Sequence, residues 1–115
     1  MNKILKTSQI GKQGEDLASS FLQELGYLIV EKNFRFKRFE VDLIAKVEDV
    51  LVFVEVKKRK NPDFGFPEAA VTQKKADMIH QVAVNYMERV QWHGHIRFDI
   101  IAISEDEVLH LEDAF

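Results

Sequence analysis

The chain has 115 residues, a formal net charge of −3, 46% hydrophobic and 30% charged residues, and no cysteine. That length and balance fit one globular domain able to bury a core without staples, and the missing cysteine excludes disulfides, thiolate metal sites and cysteine nucleophiles. No apolar run is long enough to span a bilayer and the first residues lack a secretion signal, so the expectation is a cytoplasmic protein with no membrane partner. The total charge does not suggest a strongly basic nucleic-acid binder, but the charges are unevenly spread. Lys32, Arg35, Lys37, Arg38, Lys46, Lys57, Lys58, Arg59 and Lys60 fall in one stretch, whereas residues 99–115 hold acids and no Lys or Arg. One part of the surface can therefore attract phosphate while the whole stays acidic.

Residues 8–25 predict a helix, with Ile10, Gly14, Leu17, Ala18, Phe21, Leu22 and Leu25 on one face, Ser8 as N-cap and Gly26 at the C′ position. Residues 27–36 predict a strand weakened by Glu31-Lys32-Asn33, and residues 39–47 and 50–58 two stronger strands joined as a hairpin at Glu48-Asp49. Residues 59–66 predict a loop. A second helix spans 72–90, capped by Thr72, with Ala76, Ile79, Val82, Ala83, Tyr86, Met87 and Val90 as its apolar face. Strands at 95–104 and 108–111 complete an α/β fold of order α-β-β-β-α-β-β, a mixed sheet with flanking helices.

The chemistry concentrates in the central hairpin. Side chains alternate along a strand, so Glu40 shares a face with Asp42, and Glu55 with Lys57. A turn centred between Glu48 and Asp49 sets Asp42 opposite Glu55 and Glu40 opposite Lys57. The same face carries Ile44, Leu51 and Phe53, and the other face is apolar through Val41, Leu43, Val52, Val54 and Val56. Two carboxylates about 5 Å apart repel by roughly 3 kcal/mol at an effective dielectric of about 20. An ordinary salt-bridged face relieves that repulsion with cationic partners. A partly desolvated face relieves it with a proton or a hard divalent ion held by oxygen ligands. Mg²⁺ is the natural choice, with Mn²⁺ as its substitute, and Lys57 stands beside it to hold water or neutralise a phosphoryl transition state.

Asp42, followed by Glu55-Val56-Lys57 and preceded by a helix bearing Glu15, resembles the PD-(D/E)xK nuclease core of restriction endonucleases and archaeal Holliday-junction resolvases. The closer resemblance is to the YraN-like family of small bacterial proteins, which carries the name endonuclease. It runs through Gly11-Lys12-Gln13-Gly14-Glu15, Asn33-Phe34-Arg35, Glu40-Val41-Asp42-Leu43-Ile44, residues 51–59, Ala70-Val71-Thr72 with Lys75, Arg97-Phe98-Asp99-Ile100-Ile101, and Asp113-Ala114-Phe115. The Pro-Asp of the motif's name is missing, since Val41 precedes Asp42. The resemblance implies a restriction-endonuclease-like fold and a metal held by Asp42, Glu55 and the carbonyl of Val56. It also implies Lys57 as the catalytic lysine, Glu15 reaching the site from the first helix, Glu40 as a further ligand or orienting group, and Lys75 on phosphate.

Lys58, Arg59 and Lys60 are candidate phosphate grips, with Arg35, Lys37 and Arg38 weaker ones. Phe64 and Phe66 are loop anchors or base-stacking groups. His93 and His95 lack a third ligand for zinc, and Glu105 to Glu107 with Glu112 and Asp113 read as a solvated edge. The expectation is a metal-dependent nuclease acting on DNA, branched or structured, with a homodimer compatible with two strands needing two sites. A nucleic-acid-binding module of the same fold with little turnover, and a nuclease of structured RNA, stay open as alternatives.

Overall fold

The computed structural model describes the main chain of residues 2–4, and residues 14–58, 71–104 and 107–115 in full. Among the described residues, six strands form one sheet: β1 (Asn2–Ile4), β2 (Leu28–Phe36), β3 (Phe39–Val47), β4 (Val50–Lys58), β5 (His95–Ile103) and β6 (Glu107–Leu111), in spatial order β1-β6-β5-β4-β3-β2. Two helices are found among the described residues, α1 (Gly14–Glu24) and α2 (Gln73–Val90). Five strands match the sequence reading to within a residue or two at their ends. β1 does not appear in it. Three residues carry too little pattern to announce a strand, and β1 exists because β6 offers it an antiparallel edge through Asn2↔Leu109 to Ile4↔Glu107. The order therefore opens on a strand rather than a helix. Ser8, Ile10 and residues 11–13 of the expected first helix lie outside the described residues, as do Arg59, Lys60, Phe64 and Phe66.

The hairpin β3–β4 is antiparallel, and β4–β5 is parallel from Val50↔His95 to Lys58↔Ile103. A parallel pair needs a long crossover, and α2 lies in it. The sheet is thus mixed. α1 covers one face: Leu17, Phe21 and Leu22 pack with Leu43, Val52, Val54 and Ile101. α2 covers the other: Ile79, Val82, Ala83 and Tyr86 pack with Ile44, Leu51 and Phe53. Alternation along β3 and β4 feeds both layers at once, which explains why both strands read as near-continuous apolar runs.

Helix ends follow local chemistry. Gly26 has φ 96°, and the N–H groups of Gly26 and Tyr27 bond the carbonyls of Gln23 and Leu22, both at 3.0 Å. That turn leaves Leu25 beyond the helix and 47% exposed, so it does not extend the α1 stripe as its spacing predicts. Val90, in the last turn of α2, is likewise exposed. At the start of α2, Thr72 accepts the Lys75 N–H at 3.2 Å.

A buried polar network ties the far end of the sheet together. Asp99 is fully buried and bonds both Arg97 Nε and Nη2 (2.9 and 2.8 Å), His110 Nε2 (2.8 Å) and the Asp113 N–H (3.0 Å). Arg97 reaches on to the Tyr27 hydroxyl at 2.7 Å and to Glu112 at 3.6 Å. Glu112 and Asp113 are thus partners of this network, not merely a solvated edge. Burial works to raise the Asp99 carboxyl, but the bonds from His110, Arg97 and Asp113 outweigh it and hold it below its usual value.

Candidate active site

The β3–β4 ladder runs in the register expected from a turn at Glu48-Asp49, from Val47↔Val50 to Leu43↔Val54, and there it opens. Beyond Leu43 the two strands are joined through a side chain. The Asp42 carboxylate accepts the N–H of Val56 at 2.8 Å. Asp42 and Glu55 consequently meet at the open end of the hairpin and interact side chain to side chain.

Beside the opening, β2 departs from regular strand geometry. Lys32↔Leu43 and Phe34↔Val41 pair on either side of Asn33 and Asp42, and Asn33 stands at φ 51°. A left-handed residue breaks the two-residue alternation. On β3 the break shows as Val41, which packs with Ile44 and Phe53 under α2 rather than with Leu43 and Val54 under α1. This corrects the sequence expectation that Val41 belongs to the other face. It also makes Asp42 reachable from both layers: the charges of Glu15 on α1 and Lys75 on α2 both act on it.

The helices complete the site differently. α1 begins hard against the end of β4. A Cβ on Gly14 would stand 2.8 Å from Cδ of Lys58, so the absence of a side chain at Gly14 lets the helix start beside β4 and brings Glu15 near Asp42. Lys58 spends its aliphatic stem on that contact. From α2, Lys75 Nζ lies 3.6 Å from Oε2 of Glu55, whose side chain is only 13% exposed. Lys57 follows Glu55 by two residues on β4 and its charge acts on Glu55.

Glu40 departs from expectation. The ladder does not extend to a Glu40–Lys57 pair. Glu40 pairs instead across β2–β3 with Arg35, carboxylate to guanidinium at 3.7 Å. The Arg35 side chain stays largely exposed beside that acid. His95 sits at the opposite end of the sheet beside Asp49, at 3.7 Å, both largely exposed.

The electrostatics mark the pair. Burial pushes the Asp42 carboxyl above its ordinary value; the Val56 N–H works against this and the charge of Glu15 adds to it. Glu55 is pushed up to about 7, first by burial and then by the charge of Asp42, with Lys75 and Lys57 pulling back. Oε1 of Glu55 is buried and makes no hydrogen bond. An orphaned carboxylate oxygen beside a second desolvated carboxylate is a donor set that suits a hard divalent cation. Among the described residues no group of three or more acidic or histidine side chains converges as a ready-made metal cage. An ion would rest on Asp42 and Glu55, with the Val56 peptide alongside.

A family model matches residues 14–103, a span holding Glu15, Asp42, Glu55, Lys57 and Lys75; its description reads "Uncharacterised protein family UPF0102". The chain belongs to UPF0102. UPF0102 proteins similar to it include one from Cytophaga hutchinsonii, 47% identical over 106 residues that cover 91% of this chain and 94% of the relative. Another, from Sulfurihydrogenibium sp., is 41% identical and covers 94% and 95%. A third, from Thermodesulfovibrio yellowstonii, is 40% identical and covers 93% and 96%. The UPF0102 match runs from the start of α1 to the end of β5 and so spans the open hairpin. Among the described residues of this UPF0102 chain, no helix is long and apolar enough to cross a membrane.

Proposed function

We propose that this UPF0102 chain is a metal-dependent nuclease that hydrolyses phosphodiester bonds in DNA, with a restriction-endonuclease-like arrangement of its sheet and helices. The observation that carries this reading is the Asp42–Glu55 pair at the open end of β3–β4, with a buried, unpartnered oxygen on Glu55. Asp42 and Glu55 would hold Mg²⁺, and Mn²⁺ in its place. A divalent ion there supplies Lewis-acid polarisation of a phosphate oxygen.

The chain's own groups supply the rest. Asp42 is fixed by the Val56 N–H, so its carboxylate is oriented before any ligand arrives. Lys57 presents an ammonium on the same strand as Glu55, where it can orient an attacking water and offset charge developing on phosphorus. Glu15 adds negative charge from α1 that favours cation capture by Asp42. Lys75 counters Glu55 at 3.6 Å, and in this reading its ammonium would also meet an incoming phosphate. Two strands need two sites, so a homodimer is part of the proposal for duplex cutting.

Calorimetry with Mn²⁺ and Mg²⁺, joined to cleavage assays on duplex, branched and single-stranded DNA and on structured RNA, tests the reading. Ion binding and cleavage that both disappear in Glu55→Ala support it. Undiminished cleavage by a folded Glu55→Ala protein rejects it. One observation favours a second reading, a binding module of the same fold with little turnover. The Lys75 ammonium already gives Glu55 a cation 3.6 Å away. Nucleic-acid binding without cleavage of any substrate in the presence of metal selects that module.

A further inference from the structure

A cleft of about 280 Å³ is lined by Arg38, Phe39, Glu40, Lys75 and Met78. It lies between the first turns of α2 and the tip of the β2–β3 hairpin, and Lys75 belongs to both the cleft and the ion pair with Glu55. Its volume is at the small end of ligand clefts, the size for one nucleotide rather than a stretch of duplex.

The charges in this cleft are unequal in their commitments. Glu40 is countered by Arg35. Arg38 is exposed and makes no ion pair among the described residues, so its planar guanidinium stands ready for an anion. Phe39 and Met78 give the wall an apolar part. The hairpin tip holds this geometry in spite of its backbone: Lys37 stands at φ 58°, a conformation that costs a non-glycine residue energy, with its ammonium 5.4 Å from the Phe36 ring centre. The hairpin tip contributes Arg38 and the half-buried Phe39, and α2 contributes Lys75 and Met78, so each wall brings one cation and one apolar group, the two kinds of contact that a phosphate joined to a base requires.

We propose that this cleft seats one unpaired nucleotide next to the bond to be cut, its phosphate between Arg38 and Lys75 and its base against Phe39 and Met78. The inference rests on the nuclease reading for the position of the cut, and it deepens that reading by naming the substrate class: a fork, flap or single-stranded end rather than continuous duplex. A base within a duplex already has both faces stacked and cannot lay one on a protein ring. A splayed base can.

Binding to metal-free protein separates this inference from the catalytic reading. A forked DNA with 2-aminopurine at the first unpaired position is compared with a fully paired duplex of the same sequence. The fork is expected to bind several-fold tighter, with a change in 2-aminopurine emission on stacking. Arg38→Ala, at an exposed position, should weaken fork binding several-fold and lower the salt slope by roughly 0.7, one phosphate contact on a single strand. Phe39→Leu should remove the emission change, with melting measured to confirm the fold. Equal affinity for fork and duplex, or an Arg38→Ala protein that binds the fork as wild type does, overturns the subsite. If that happens while metal-dependent cleavage persists, the nuclease reading survives alone. If fork binding depends on Arg38 but no substrate is cut with metal present, the subsite stands and the catalytic reading fails. If neither fork nor duplex is bound, the subsite is overturned.

Discussion

The Asp42 carboxylate takes the N–H of Val56 at 2.8 Å, so a side chain closes the hairpin where the main-chain ladder has stopped. That substitution fixes the acid and opens the strands in one step. The oxygen that secures Val56 is on the same carboxylate that confronts Glu55, and the site cannot be relaxed without loosening the end of β4.

The confrontation should be visible as a pH-dependent stability cost. Glu55 titrates near 7 in the fold against an ordinary value of 4.5. The fold therefore holds the Glu55 proton more tightly than the unfolded chain does. Its stabilising contribution is complete below pH 4.5 and is lost as pH rises through 7. Glu55→Gln, which cannot ionise, should leave the metal-free protein more stable than wild type at pH 8 by about 1–3 kcal/mol, and nearly equal to it at pH 4. Urea denaturation at the two pH values measures the difference. Mn²⁺ should raise the melting temperature of wild type at pH 8 and leave Glu55→Gln unchanged.

Lys75 serves Glu55 as an internal cation, at 3.6 Å. Lys75→Met removes a positive charge beside the proposed ion site while keeping the length of the side chain. Divalent-ion affinity should rise several-fold by calorimetry, because less positive charge opposes the ion, while affinity for forked DNA should fall. Parallel losses in both would show that Lys75 acts only in holding the fold.

The Asp99 network is separate from the site and should behave as a structural clamp. Asp99→Ala leaves Arg97 and His110 without their buried partner and should cost about 3–5 kcal/mol. Because the Asp99 carboxyl is held below its usual value in the fold, its contribution is present above the ordinary carboxylate range and is lost as pH falls through the lowered value. The gap between wild type and Asp99→Asn in denaturant melts should therefore be full at pH 7 and shrink below about pH 4. A constant gap from pH 7 to pH 2 would contradict an ionised Asp99.

Asn33 stands on β2 at φ 51°, opposite Asp42 and beside the open end of β3–β4. Asn33→Gly should be nearly neutral in melting temperature, since glycine accepts that backbone. Asn33→Val should cost about 1–2 kcal/mol, as a branched side chain resists the left-handed region. If the alternation break positions Asp42, the valine variant should also lose divalent-ion affinity beyond what its stability loss explains, and the glycine variant should not.

The sequence by itself determined most of the fold's parts and the partners of the central pair. Two nine-residue apolar runs separated by Glu48-Asp49 admit few hairpin registers, and the one that centres the turn places Asp42 at Glu55. The helix faces followed from their 3.6-residue period, because burial of a stripe is a local demand that the chain must meet wherever it packs. Tertiary structure decided what local patterns cannot encode. Strict alternation assigned Val41 to the wrong layer and Glu40 to Lys57. The period breaks beside the left-handed Asn33 of a neighbouring strand, the β3–β4 ladder ends at Leu43, and the cation found at Glu40 is Arg35 of β2. Lys75 and Glu15 stand 20 residues after and 27 before the nearer member of the acidic pair in sequence, and only the packing of two helices on opposite faces brings their charges within reach of that pair. Electrostatic energy depends on distance through space and on the water excluded between charges, and neither is written in the order of the residues.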